Sequence, residues 1–426
     1  MTVLIAPSFA QGQCRPIAAS AVSQPAAAQG PHSEKATTGM PEFFDEPQFT
    51  VAGVTDASTP GGHGVDTVVR TKEVLAKDTA ALGRPPSADS TASASTSEAS
   101  LREAAHAPGG FEANYQLGRL LVAEGKAQEA LPYLERATQL DPPDKTAGEK
   151  ADAHHLLADV NEKLDNPLKA VHEYQRAAEL DPSESNLFDW GAELLMHRAF
   201  QPAIEVFTKG NHSFPRSSRM LVGLGVSLYD SGAYDQAAQH LCEASDLNPA
   251  DPAPYLFMGK IQSLELTAPE GIGQRLERFA HLQPENALAN YYYAVNLWQR
   301  RKDPGDTETS ARVESLLQKA THLDPKLAPA YMQLGIVYSE RQDWARAISS
   351  YQESAAADPQ LDEAHYRLAA AYRQTGETRK AQQELELYDQ IRKKTAEQAE
   401  RERREIREFV YTLRDQSSVP TPQPKP

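Results

Sequence analysis

The chain has 426 residues, of which 40% are hydrophobic and 7% aromatic, and its formal net charge is −16. This polar composition, without an apolar run of about 18 residues, argues against an integral membrane protein. The acidic balance argues against nucleic acids and anionic membranes as partners, because both are bound by basic surfaces. The only cysteines, Cys14 and Cys242, cannot form a zinc pattern. We therefore expect neither a metal nor a cofactor.

Residues 1–40 are predicted to form a disordered leader. Val3 to Ala6 resembles the end of an apolar signal segment, and Ser8-Phe9-Ala10 fits a small-x-small cleavage site. A remnant of a signal peptide would place the protein in the periplasm or outside the cell. An ordinary terminus of a cytoplasmic protein is the alternative, and the sequence alone leaves the localisation open.

Residues 41–83 form a less polar island, in which a short strand, a Gly-Gly-His-Gly turn and a short helix are predicted. The island is too small to fold alone. We expect it to dock on the rest of the chain or on a partner, and chance hydrophobic residues in a disordered leader are the alternative. Residues 84–110 are rich in Ser, Ala and Thr and are predicted to be a linker.

From Phe111 onward the chain repeats. Small residues recur at intervals of 33 to 41, at Gly118, Ala158, Gly191, Gly225, Gly259, Ala294, Gly335 and Ala369. Prolines follow the same period, at Pro142, Pro182, Pro215, Pro249, Pro284, Pro325 and Pro359. Two independent markers therefore share one period.

In six of the eight periods, a second small residue and then a large one follow. The small residues are Ala130, Ala170, Ala203, Ala237, Ala347 and Ala381, and the large ones are Leu134, Tyr174, Phe207, Leu241, Tyr351 and Leu385. Two antiparallel helices approach closely where side chains are small, and the large residue fills the adjacent space. Proline then ends the second helix. The pattern predicts a series of helical hairpins.

These residues resemble the tetratricopeptide repeat (TPR) family. The motif is nearly complete in Gly225, Gly232, Tyr234, Ala237, Ala244 and Pro249, and again in Gly335, Tyr338, Trp344, Ala347, Tyr351 and Pro359. The resemblance implies an all-α, right-handed solenoid of about eight repeats over residues 111–376, starting near residues 111, 151, 184, 218, 252, 287, 328 and 362. The fifth repeat has Ile272 where Ala is expected, and the sixth carries an insertion within Arg300 to Ser310.

A charged helix is predicted over residues 377–415, followed by a Pro-rich tail over 416–426. The apolar residues of this helix are Leu385, Tyr388, Ile391, Ala399, Ile406, Val410 and Leu413. We expect a long capping helix on the last repeat. A coiled-coil homodimer through this helix is the alternative.

The resemblance also implies a concave groove lined by the first helix of each repeat. Carried over position by position, it predicts a partner-binding surface of Phe188, Leu195, Met196, Val222, Val226, Tyr229, Leu256, Tyr291, Val295, Trp298, Met332 and Ile336. Asp152, Asp159 and Glu162 are predicted to form an acidic end of this groove. Apolar and aromatic surfaces of this kind bind proteins.

The prediction is therefore a scaffold or adaptor that binds a protein or peptide in an apolar groove. The second hypothesis is a self-masked regulatory or assembly module, in which the island at 41–83 occupies the groove. No motif for catalysis occurs apart from His63 in the glycine-rich turn, so an enzyme is only a remote alternative. His154 and His155 are adjacent on one helix, so their rings point to different sides and cannot share a metal.

Overall fold

A computed structural model describes residues 94–105, 110–264, 271–301, 303 and 305–417, and it contains seventeen helices and no strand in those ranges. Within those ranges no helix is both long enough and apolar enough to span a membrane. The helices are α1 (Ala94–Ala105), α2 (Phe111–Ala123), α3 (Ala127–Gln139), α4 (Ala147–Lys163), α5 (Pro167–Leu180), α6 (Glu184–Met196), α7 (Phe200–Ser213), α8 (Ser218–Asp230), α9 (Tyr234–Leu247), α10 (Ala253–Ser263), α11 (Ile272–Leu282), α12 (Ala287–Arg300), α13 (Thr307–Leu323), α14 (Ala328–Glu340), α15 (Trp344–Ala357), α16 (Asp362–Gln374) and α17 (Thr378–Ser417).

Helices α2 to α17 pack as eight consecutive hairpins, each against the next. The all-α solenoid of about eight repeats predicted from the sequence is confirmed. The predictions for the leader and for the island at 41–83, including His63, lie outside the described residues.

The recurring small and large residues meet as predicted within the hairpins. A Cβ atom added at Gly225 would lie 2.7 Å from Cγ of Leu241, and one at Gly191 would lie 2.8 Å from Cζ of Phe207. The two helices of a repeat are therefore too close for a larger residue at the glycine position.

The ends of the repeats follow the predicted chemistry. Asp181, Asp324 and Asp358 each precede a proline, and each has an extended backbone that ends its helix. The turn between the paired helices needs a residue with a left-handed backbone. Glycine takes this position in three repeats, with φ values of 76°, 85° and 80° at Gly125, Gly232 and Gly376.

Two repeats depart from the pattern where the sequence does. In repeat 5 the second helix, α11, has only 11 residues and begins after Gly271, whose φ is 96°. Tyr255 and Phe279 stack there with ring centroids 4.5 Å apart. In repeat 6 a longer loop separates α12 from α13, at the predicted insertion.

The Ser/Ala/Thr linker predicted at 84–110 differs from the structure, because residues 94–105 form α1. Leu101 and Ala105 pack on the core of repeat 1, against Leu117 and Leu134. Arg102 pairs with Glu98 and Glu129 at 2.7 and 3.0 Å. A composition typical of linkers forms a helix here because the first repeat offers an apolar surface to cover.

Helix α17 has 40 residues, and its first part completes repeat 8. Glu384 lies 2.7 Å from the Nδ1 atom of His365 on α16, and Ala381 is buried. The helix extends well beyond its partner, since α16 has only 13 residues.

Candidate functional site

The twelve predicted groove residues lie on the first helices of repeats 3 to 7, at two depths. The structure buries Phe188, Leu195, Val222, Val226, Tyr291 and Val295. It leaves Met196, Tyr229, Leu256, Trp298, Met332 and Ile336 half-buried. None of the twelve is fully exposed.

The buried members serve the packing between neighbouring repeats. The ring of Phe188 lies edge-on to that of Phe207 at 5.6 Å, and the guanidinium of Arg219 lies 3.7 Å above it. The rings of Tyr291 and Tyr292 are 5.1 Å apart. Burial raises the pKa of Tyr291 to about 12, against the effect of a hydrogen bond to Ser263. The open apolar surface expected from the sequence is therefore narrower than the full set of twelve.

The half-buried members keep part of their surface available. Tyr229 bridges two repeats, with its ring 5.5 Å from those of both Tyr234 and Phe257. Trp298 carries the guanidinium of Arg301 at 3.3 Å from its ring centroid. These contacts orient large aromatic side chains without enclosing them, which is how aromatic residues commonly take part in protein interfaces.

The residues predicted to form an acidic end of the groove are joined by His155 and Asp189, which were not predicted. Nε2 of His155 lies 2.9 Å from Asp189, its Nδ1 lies 3.8 Å from Asp159, and the hydroxyl of Tyr174 donates to Asp159 at 2.6 Å. Asp152 is exposed, and Asp159 and Glu162 are half-buried.

These carboxylates determine the ionisation of the imidazole. Burial lowers the pKa of His155, but Asp189, Asp159 and Asp152 outweigh it and raise this pKa to about 9. Burial in turn raises the pKa of Asp159. Arg219 also lies 3.4 Å from Asp189, so the cluster contains two cationic side chains among several carboxylates.

The sequence contained a signal for this cluster that was missed. His155 and Asp189 are 34 residues apart, one more than the spacing between Ala158 and Gly191, so they occupy neighbouring positions in successive repeats. Side chains at such a separation face each other across the boundary between two repeats.

Among the described residues, no group of three or more His, Cys, Asp or Glu side chains could hold a metal ion. His154 and His155 face different partners: Nδ1 of His154 lies 2.6 Å from Glu173, whereas His155 faces Asp189. Both histidines therefore contribute to packing between helices.

A second charged cluster lies at the turn between α6 and α7 and was not predicted. Arg198 has a φ of 55° and lies 3.1 Å from Glu402 of α17. Burial raises the pKa of Asp230 to about 6, although the charges of Lys260 and Arg198 lower it. The first helices of repeats 4 and 5 and the turn of repeat 3 thus contribute charges to one region, and α17 reaches it.

Comparison with known proteins adds evidence at the level of the family. Two family models, both described as tetratricopeptide repeat, match the sequence, one over residues 80–145, 115–185 and 197–252 and the other over residues 339–400. Together they cover more than half of the chain. No curated protein matches the sequence.

Solved structures with a similar backbone are distant in sequence. A crystal structure of MamA protein is 20% identical and aligns over 42% of this chain and 94% of its own, with a TM-score of 0.33. A tetratricopeptide repeat protein from Parabacteroides merdae is 12% identical over 61% of this chain and 98% of its own, with a TM-score of 0.43. The APC/C hetero-tetramer Cut9-Hcn1 is 16% identical over 69% of this chain and 56% of its own, with a TM-score of 0.43.

Proposed function

The chain belongs to the tetratricopeptide repeat family, and from this premise we propose that it is an adaptor that binds a protein segment in the groove of repeats 3 to 7. The fold is typical of protein-interaction scaffolds without catalytic activity.

One observation carries the proposal. Five successive repeats each contribute at least one half-buried apolar or aromatic side chain from the first helix. These are Met196, Tyr229, Leu256, Trp298 and, from repeat 7, both Met332 and Ile336. A packed helix on a purely structural surface would carry polar residues at such positions. Tyr, Trp and Met are enriched at protein interfaces.

The acidic cluster around His155 extends this surface at one end. A segment with apolar anchors and a basic flank would therefore match both the half-buried apolar surface and the acidic cluster. The flank would contribute mainly to the rate of association and to its salt dependence, because rim charges act at long range.

The test is capture of partners from the native cell with the Ile336→Glu variant, beside wild type and a control. Ser315→Glu is the matched control, because Ser315 is exposed on the second helix of the neighbouring repeat and receives the same charge. We expect Ile336→Glu to lose partners that wild type and Ser315→Glu both retain, with circular dichroism unchanged. Equal partner lists for all three proteins would place binding outside the groove.

A further inference from the structure

Helix α17 carries a covered stripe far beyond the repeat that it completes. After Tyr388, the positions that are buried or half-buried include Ile391, Thr395, Ala399, Glu402, Ile406, Phe409 and Leu413. Their spacing of three and four residues marks one face of a helix. The 13 residues of α16 extend over about 20 Å and can cover only the beginning of that face.

Two contacts identify what covers the rest. Glu402 forms an ion pair with Arg198 at 3.1 Å, and the ring of Phe409 lies 5.1 Å from that of His197, at an angle of 30°. Arg198 and His197 lie in the turn of repeat 3. The same helix contacts repeat 8, where the rings of Tyr366 and Tyr388 are 5.5 Å apart.

The contacts join repeat 8 to repeat 3, so α17 spans the repeats between them. Phe409 lies about 32 Å beyond Tyr388 along α17. Equivalent helices of repeats 3 and 8, at interaxial distances of about 9 Å or more per repeat, would be at least about 45 Å apart along the stack. With about one helix spacing added at each end, the two distances agree, so α17 runs along the intervening repeats from repeat 8 back to repeat 3.

The charges near this route agree with it. Arg198 and Lys260 both act on Asp230, and Glu363 of repeat 8 acts on Tyr291 of repeat 6. First helices that are two repeats apart in the chain thus lie within electrostatic range of each other. Charged groups of several repeats therefore act on one another on the side of the first helices.

We infer that the groove is a site for an amphipathic helix and that the distal part of α17, residues 392–413, is its resident occupant. The inference rests on the proposed function and names the partner class: a helix with apolar side chains three and four residues apart and a carboxylate that pairs with Arg198. Such a partner binds in the place of α17, so the distal part of α17 regulates access to the groove.

The contact between the distal part of α17 and the rest of the solenoid has properties that allow it to open. Beyond Ile391 no side chain of the described stripe is fully buried, and both partners of the Arg198–Glu402 pair keep contact with solvent. The released helix retains local support, since Arg403 pairs with Glu400 at 2.6 Å and Gln398 donates to Glu402 at 2.9 Å. Opening therefore exposes the groove without unfolding the helix.

The experiment measures binding of a fluorescein-labelled peptide of residues 390–415 to variants of the full chain by fluorescence polarisation. Phe409→Glu weakens the resident helix, and Tyr411→Glu is the matched control, because Tyr411 is an aromatic residue of the same helix that is 61% exposed. We expect Phe409→Glu to bind the peptide about tenfold more tightly than wild type, since a larger fraction of the chain has an open groove. Tyr411→Glu should equal wild type.

A third variant locates the peptide. The double variant Arg198→Glu, Phe409→Glu should lose the gain in peptide affinity. The carboxylate of the peptide that corresponds to Glu402 would then meet a like charge in the groove. Equal affinity for wild type, Phe409→Glu and Tyr411→Glu would overturn the inference. So would a gain that persists with Arg198→Glu, which would mean that the peptide pairs with the released α17 as a coiled coil.

The outcome is distinguishable from a failure of the proposed function. If the peptide does not bind but Ile336→Glu still loses native partners, the groove binds proteins and only the helical class of partner is wrong. If the peptide binds as expected and Ile336→Glu loses no partner, the groove serves its own helix alone.

Discussion

At the scale of single residues, the contact between a small and a large side chain fixes the distance between the helices of a repeat. Gly118, Gly191, Gly225 and Gly335 each face the large residue sixteen positions later, which is Leu134, Phe207, Leu241 or Tyr351. Gly259 is an exception, because it faces a residue of the next repeat and not of its own. An added Cβ there would clash with Tyr292. Glycine is required at these positions because the two helices approach closely there, and not because of the backbone conformation.

Replacing Gly225 by alanine should therefore destabilise the protein. The added methyl group would lie 2.7 Å from Leu241, and overpacking of this kind costs about 1–3 kcal/mol. Gly148→Ala is the control, because the nearest atom would be 4.0 Å away and alanine favours a helix by about 0.5–1 kcal/mol. Urea unfolding should show opposite shifts of the midpoint, and equal shifts would contradict the packing account.

The stability contributed by His155 should depend on pH. Its pKa in the folded protein is about 9, above the ordinary value of 6.5, so the contribution is complete below about pH 6.5. It is lost as the pH rises through 9. The free-energy advantage of wild type over His155→Gln should fall by about 1–2 kcal/mol between pH 6.5 and 9.5, after allowance for solvent screening.

Urea unfolding of both proteins at several pH values measures this difference. Titrating groups that do not interact with His155 cancel in the comparison, because the two proteins share them. A difference that stays constant over the whole range would mean that His155 carries no additional proton in the folded state.

At the scale of elements, the first helix α1 covers the apolar end of repeat 1. Leu101→Glu would place a charge against Leu117 and Leu134, so we expect repeat 1 to open more often than the rest of the solenoid. Amide hydrogen exchange of α2 should become at least tenfold faster. Ala99→Glu, at an exposed position of the same helix, should leave exchange unchanged, and equal effects would show that α1 is not packed.

The hairpins were predictable, because the repeat period carries the same packing information several times. Helix α1 was not, since its Ser- and Ala-rich sequence becomes helical only against the surface of repeat 1. The pair Glu98 and Arg102, four residues apart, was the available signal.

The sequence predicted which repeat positions lie on the first helices, but not how deeply each side chain is buried. The repeat positions identified which side chains lie on the first helices, yet Phe188 is buried and Met196 is half-buried on the same helix. Depth depends on how closely the next repeat packs, which the spacing of residues does not encode. Likewise, the apolar series of α17 was visible in the sequence, but its contact with His197 and Arg198 joins residues too distant in the chain for any local pattern.

At the scale of the whole solenoid, the proposed groove has an acidic cluster at one end and a helix, α17, that would regulate access to it. The groove should be reached by a partner mainly when the distal part of α17 leaves it. Partner binding and the position of α17 are thus coupled, because both occupants use the same surface.

The measurement that tests the central claim most directly is site-specific photocrosslinking in the native cell, in the Phe409→Glu background. A photoreactive phenylalanine analogue is placed at Ile336 in the groove or at Ser315 outside it. We predict adducts with a partner protein at Ile336 and a much lower yield at Ser315. Equal yields at the two positions, or adducts at Ser315 alone, would contradict a partner-binding groove in this protein.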